Sequence, residues 1–70
     1  MKVKDISHDN IYVSKIPNLP MPIYGYIRTI RAGEVGFSVL EEPVEDPDFS
    51  NCGVFYVKPK DFTRVFEVYR

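Results

Sequence analysis

Residues 53–68 read GVFYVKPKDFTRVFEV, and the reading of this stretch decides the fold. Val54 to Lys58 places β-branched and aromatic residues between Gly53 and Pro59, the pattern of a short strand bounded by breakers. Pro59-Lys60-Asp61-Phe62 reads as a tight turn, one turn of 3-10 helix. Thr63 to Tyr69 is again rich in β-branched and aromatic residues and reads as a closing strand.

Upstream of this stretch the pattern is also mostly of period two. Val3 to Ile6 reads as a short first strand, interrupted by His8, Asp9 and Asn10, and Ile11 to Ile16 continues extended. Pro17, Pro20 and Pro22 forbid helix between residues 17 and 22 and favour an extended loop. Their P-x-x-P spacing matches a ligand pattern that is frequent by chance. Within a folded domain it stiffens the loop and limits the entropy of the unfolded chain. Ile23 to Arg31 alternates, with Ile23, Gly25 and Ile27 on one face and Tyr24, Tyr26 and Arg28 on the other. Ala32-Gly33 makes a tight turn, and Glu34 to Glu42 alternates with Val35, Phe37 and Val39 on one side. Gly25 and Gly36 are read as bulges or sharp bends. No window of a dozen residues has helical spacing free of proline and glycine.

The chain has 70 residues, which fits one small domain over residues 1–70. A core of this size supplies only about 3–5 kcal/mol. Apolar residues make up 44% and charged residues 27%, with net charge −1, so the composition is that of a folded protein. The near-neutral balance counts against a strongly electrostatic nucleic-acid binder. The neutral total hides a segregated layout. Residues 1–33 hold five basic and two acidic side chains, residues 34–48 six acidic and none basic, and residues 49–70 four basic and two acidic. Cys52 is the only cysteine, so no internal disulfide forms, which fits a reducing compartment. No segment has the apolar run of a signal peptide or a bilayer span. The expectation is a soluble, cytoplasmic protein that makes no use of a membrane.

The order of elements resembles the SH3-like small barrel: a proline-bearing loop, a bent hairpin, a fourth strand, one helical turn and a closing strand. Residues 53–68 carry the local likeness. In SH3 domains a proline ends the fourth strand, with an aromatic residue three positions later in the helical turn, and Pro59 and Phe62 have that spacing. The resemblance implies an all-β, five-stranded SH3-like barrel with a short 3-10 turn before the last strand. Proline-peptide binding does not carry over. The Ala-Leu-Tyr-Asp-Tyr-like segment and the strand tryptophan are absent, and Phe62 stands where that family commonly has tyrosine. The expected core is Val3, Ile11, Val13, Ile23, Ile27, Val35, Phe37, Val39, Phe55, Val57, Val65 and Val68.

Catalysis has no foothold in the sequence. Ser7-His8-Asp9 contains the letters of a hydrolytic triad, but consecutive side chains diverge and cannot form a relay. Cys52 has acidic neighbours in sequence, which disfavour a thiolate. The EEPVEDPD segment, residues 41–48, pairs its carboxylates and stiffens them with proline. A calcium loop instead alternates its ligands around a glycine. It reads first as a solvated acidic loop that deters edge-to-edge association, and second as a docking surface for a basic partner. No metal and no cofactor is expected.

The functional expectation is a non-enzymatic protein-binding module, acting as a regulator, inhibitor or accessory subunit. Its surface would be a groove between the proline loop and the acidic loop, lined by Tyr12, Tyr24, Tyr26, Tyr56 and Phe62, with Glu41, Glu42, Glu45, Asp46 and Asp48 as the acidic element. One alternative is a nucleic-acid-binding barrel whose basic face is Arg28, Arg31, Lys58, Lys60 and Arg64 with tyrosines stacking on bases. Another is a homo-oligomeric structural protein in which a basic face meets a neighbour's acidic loop; the expected state is a monomer or small homo-oligomer.

Overall fold

The central hairpin positions everything else. A computed structural model describes residues 1–70 and places β2 at Tyr24–Arg31 and β3 at Glu34–Leu40, joined by Ala32-Gly33. Gly33 has φ +75°, the left-handed region that glycine enters without steric cost. β1 (Ile11–Ser14) pairs antiparallel with β2, and β4 (Phe55–Val57) pairs antiparallel with β3. β5 (Phe66–Val68) returns to pair antiparallel with β1. The result is one five-stranded sheet in the order β4-β3-β2-β1-β5. β4 and β5 are its edges and do not pair with each other, so the sheet is not closed.

Two elements differ from the sequence expectation. Pro59–Val65 is an α-helix, α1, of seven residues rather than a single 3-10 turn. Proline fits the first helical position because its ring fixes φ and its missing N–H is not needed there. Phe62, Val65 and Phe66 then fall at i, i+3 and i+4, where one face can bury all three. Val3–Asp5 is a 3-10 turn rather than a strand. The Asp5 carboxylate accepts the Lys2 N–H at 2.9 Å, a local bond that competes with sheet pairing. Val3 accordingly lies 44% exposed, outside the core expected of it.

Three of the five residues at the centre of the core, Tyr12, Phe62 and Phe66, are aromatic and lie outside the expected core set. Tyr12, Ile27, Val35, Phe62 and Phe66 are buried, with Met1, Ile6, Ile23, Phe37, Val39, Val57, Val65 and Val68 packed around them. Phe62 stacks on Phe66 with ring centres 4.8 Å apart, and Tyr12 meets Phe62 edge-on at 5.2 Å. β1 turns Tyr12 inward, so its alternation is one residue out of step with the expected Ile11 and Val13, which are half-buried. A one-residue change of register moves every side chain to the other face. Tyr12 pairs with Gly25 across β1 and β2.

The glycines within the strands do not mark the bend. The irregularity in β2 and β3 falls between Ile27 and Thr29, leaving Arg28 as the extra residue. Gly25 instead admits the Phe66 ring, which would sit 3.1 Å from a Cβ there. Gly36 lies where a Cβ would meet Thr29 Oγ1 and the Tyr56 ring. Both serve close packing rather than curvature.

Candidate functional site

The residues expected to line a groove are not gathered into one. Tyr12 is 0% and Phe62 1% exposed, both in the core, which takes them out of any surface. The Tyr12 hydroxyl donates to Asp5 O at 2.9 Å and accepts the Ser7 N–H at 2.8 Å and the Asn10 Nδ2–H at 3.2 Å. It ties the amino-terminal turn to the end of the sheet. Tyr24 packs edge-on against Tyr69 at 5.2 Å. Tyr26 lies buried on the opposite face of the sheet from the core. Tyr56 alone of the five is more than half exposed.

The outer face of the sheet explains the acidic segment. Residues 41–53 fold back across β2 and β3 as a strap. The Tyr26 hydroxyl accepts the Val44 N–H at 2.7 Å and donates to Val44 O at 3.0 Å, with Glu42 O at 3.3 Å. Phe49 packs against the Tyr26 ring, with centres 5.5 Å apart. Arg28 covers Phe49 and donates from Nη1 to Ser38 Oγ at 3.0 Å, and Ser38 donates to Gly53 O at 2.8 Å. The strap is therefore held by backbone atoms and Phe49. Glu41, Glu42, Glu45, Asp46 and Asp48 all point to solvent, and none forms an ion pair; the one ion pair is Arg64–Asp61 at 3.4 Å. Asp48 accepts the Ser50 N–H at 2.9 Å. That bond, reinforced by the Ser50 hydroxyl, holds its carboxyl below the ordinary value against a small opposing effect of desolvation.

Two of the five basic residues have partners within the chain. Arg28 is occupied by Phe49 and Ser38, and Arg64 by Asp61. Lys58 and Lys60 share a shallow groove with Val3, Gly33 and Pro59, and Arg31 is exposed at the end of β2. His8 Nδ1 donates to Ile27 O at 3.3 Å, beside the bulge. Ser7 Oγ donates to Asp9 Oδ2 at 3.4 Å, so the Ser7-His8-Asp9 run forms a local turn. No group of three His, Cys, Asp or Glu is placed to hold a metal ion, and Cys52 is half-buried. No helix is long and apolar enough to cross a membrane.

The surface that the sequence did not single out is the gap in the sheet. Between the β4 and β5 edges lies a cleft of about 220 Å³ lined only by Ile23, Phe37, Val39, Phe55, Val65 and Phe66. Phe37 forms its floor, 5.6 Å from Phe55 and 5.4 Å from Phe66 between ring centres. Phe55 is 54% exposed. Five of these six residues carried a core expectation; only a closed barrel would have buried them all. At Val39 the cleft adjoins a second groove formed with Leu40, Glu41, Glu42 and Val44, so an apolar floor runs into an acidic lip. Comparison with protein-family models, with curated proteins and with solved structures finds no match.

Proposed function

We propose that this chain is a non-enzymatic protein-binding module that engages an extended apolar segment of a protein through the cleft between β4 and β5, with Glu41 and Glu42 at its lip. The observation that carries the reading is the cleft itself: six apolar residues, no polar group and an exposed Phe55 at its rim. A folded domain gains by covering such a surface, at about 25 cal/mol per Å² of apolar area removed from water. The cleft is smaller than the roughly 300–1,000 Å³ of typical small-molecule sites. It suits one or two side chains of a longer segment, the anchor-in-pocket arrangement of protein interfaces. The finer fold reading, an SH3-like barrel left open along one seam, rests on the order of elements and on α1 lying between the last two strands. The nucleic-acid alternative has fewer groups behind it, because Arg28 and Arg64 already have partners within the chain.

Selection from a displayed library of random octapeptides tests the reading, with the Phe55→Asp variant as counter-selection. Phe55 is exposed, so the variant keeps the fold. Octapeptides that bind the native chain at least about tenfold more tightly than the variant are expected, the loss of one interface anchor. A library yielding none rejects the cleft as a binding site.

A further inference from the structure

An edge strand offers unpaired backbone groups to any incoming chain, and proteins blunt such edges with charge, proline or bulges. β5 carries Glu67. β4 reads Phe55-Tyr56-Val57 without a charge, and Phe55 and Tyr56 are 54% and 52% exposed. Its protection is its length of three residues and the Lys58-Pro59 pair that ends it. β4 is thus the edge with no charge among its paired residues, and it borders the cleft.

We infer that the occupant of this edge is a second copy of the chain, with β4 pairing antiparallel to β4 of its partner about a two-fold axis near Tyr56. The inference rests on the reading of the cleft as a protein-binding site and names its partner. The charge layout favours this occupant. β3 and β4 are antiparallel with Phe37 opposite Phe55, so the continuation of β3 to Glu41 and Glu42 lies past the Phe55 end of β4. Lys58 and Lys60 follow the opposite end. Two β4 strands in antiparallel register bring the basic end of each copy to the acidic end of the other, twice, by symmetry. Glu41 and Glu42 have no ion partner within their own chain. On the core-facing side Val57 of each copy comes beside Phe55 of the other and covers the rim of the cleft. On the outer side the two Tyr56 rings meet. Cross-strand aromatic and opposite-charge pairs of this kind stabilise antiparallel pairing, and the join turns two five-stranded sheets into one continuous sheet.

Sedimentation of the full chain over a range of concentrations tests this, together with two charge-reversed variants, Glu41→Lys/Glu42→Lys and Lys58→Glu/Lys60→Glu. All four side chains are exposed, so neither variant threatens the fold. The native chain is expected to form a concentration-dependent dimer. Each variant alone should dimerise roughly tenfold more weakly, from paired losses at exposed ions and new like-charge contacts. Their equimolar mixture should recover association as a heterodimer, and Phe55→Asp should abolish it. Amide exchange of residues 55–57 should slow as concentration rises. A native chain that stays monomeric up to about 1 mM overturns the self-pairing. If octapeptides still select against Phe55→Asp in that case, the cleft stands and only its occupant is wrong. A dimer indifferent to Phe55→Asp and to both charge reversals overturns the pairing through β4.

Discussion

The guanidinium carbon of Arg28 lies 4.4 Å from the centre of the Phe49 ring, and this contact closes the strap over the outer face of the sheet. Arg28 is the extra residue at the irregularity between Ile27 and Thr29. Phe49 in turn leans on Tyr26, whose hydroxyl holds Val44. Bulge, ring and hydroxyl form one chain of contacts from the sheet to the strap. Phe49→Ala breaks that chain. A cation–π contact and an aromatic pair together contribute about 1–3 kcal/mol, so a loss in that range is expected in urea unfolding. Limited proteolysis should then cut first within residues 41–53. Arg28→Lys should recover little, since an ammonium lacks the planar stack.

Tyr12→Phe isolates a single hydroxyl. The Ser7 N–H loses its acceptor and Asp5 O its donor, while the ring stays against Phe62. A buried group left without its partner costs about 1–3 kcal/mol. Chemical unfolding should show a loss in that range, and the Ser7 amide should exchange faster with solvent. A Ser7 amide that keeps its protection would mean that the hydroxyl does not organise the amino-terminal turn.

Gly36→Ala places a methyl group against Thr29 Oγ1 and the Tyr56 ring. Overpacking of this kind costs about 1–3 kcal/mol. The Thr29 hydroxyl is buried and has no hydrogen-bond partner, so Thr29→Ala alone should be close to neutral or stabilising. In the double variant the methyl group gains room, because the Thr29 Oγ1 it would meet is gone and the exposed Tyr56 ring can move aside. A thermal-denaturation cycle over the four proteins should give a favourable coupling of about 0.5–3 kcal/mol. Simple additivity would show that the Thr29 hydroxyl is not what Gly36 avoids.

How much of this was readable from the sequence depended on how many neighbours each residue answers to. The hairpin from Tyr24 to Leu40 follows from alternation and one glycine turn, which are local signals, and its expected bounds differ from the structure by one or two residues. The phase of β1 is ambiguous in the sequence because Ile11-Tyr12-Val13 is apolar at every position. Only the partner settles which face turns inward, and Gly25 opposite Tyr12 supplies the space. α1 escaped because seven residues are too few for a helical period to emerge over a dozen; the useful signal was Pro59 followed by Phe62, Val65 and Phe66 at helical spacing. Sequence alone does not separate a core role from a surface role for Phe62 and Tyr12, because tyrosine and phenylalanine occur in cores and interfaces alike. The cleft is not legible in the sequence, because no local residue encodes whether the sheet closes. The uncharged Phe55-Tyr56-Val57 run was the trace it left in the sequence.

Acid should act on the strap through Asp48. Its carboxyl titrates below its ordinary value because the ionised form accepts the Ser50 N–H. A group whose folded value is depressed binds fewer protons folded than unfolded, so its contribution to stability is present above the unfolded value and lost as pH falls through the folded one. Asp48 is fully exposed, so the effect on global stability is small and is best read locally. The Ser50 amide proton resonance should titrate at lower pH than the ordinary carboxylate range, and Asp48→Asn should remove that step. A Ser50 amide that titrates within the ordinary carboxylate range would show that the turn does not hold the charge.

Neutralising the whole acidic element separates its role in folding from its role in association. In the variant Glu41→Gln, Glu42→Gln, Glu45→Gln, Asp46→Asn, Asp48→Asn the strap keeps its anchors, because these are Phe49, the Val44 N–H and the carbonyls of Glu42, Val44 and Gly53. Exposed charges without ion partners contribute little, and relief of mutual repulsion offsets the weakening of the Ser50 bond, which the Asn amide oxygen still accepts, so stability should stay within about 0.5 kcal/mol of native. Calorimetry measures that directly. Association through the β4 edge should weaken in the same protein and lose much of its dependence on salt, since opposite charges at the two ends of the pair are what salt screens. Unfolding at markedly lower temperature would mean that the carboxylates hold the strap. Unchanged association with undiminished salt dependence would remove them from recognition altogether.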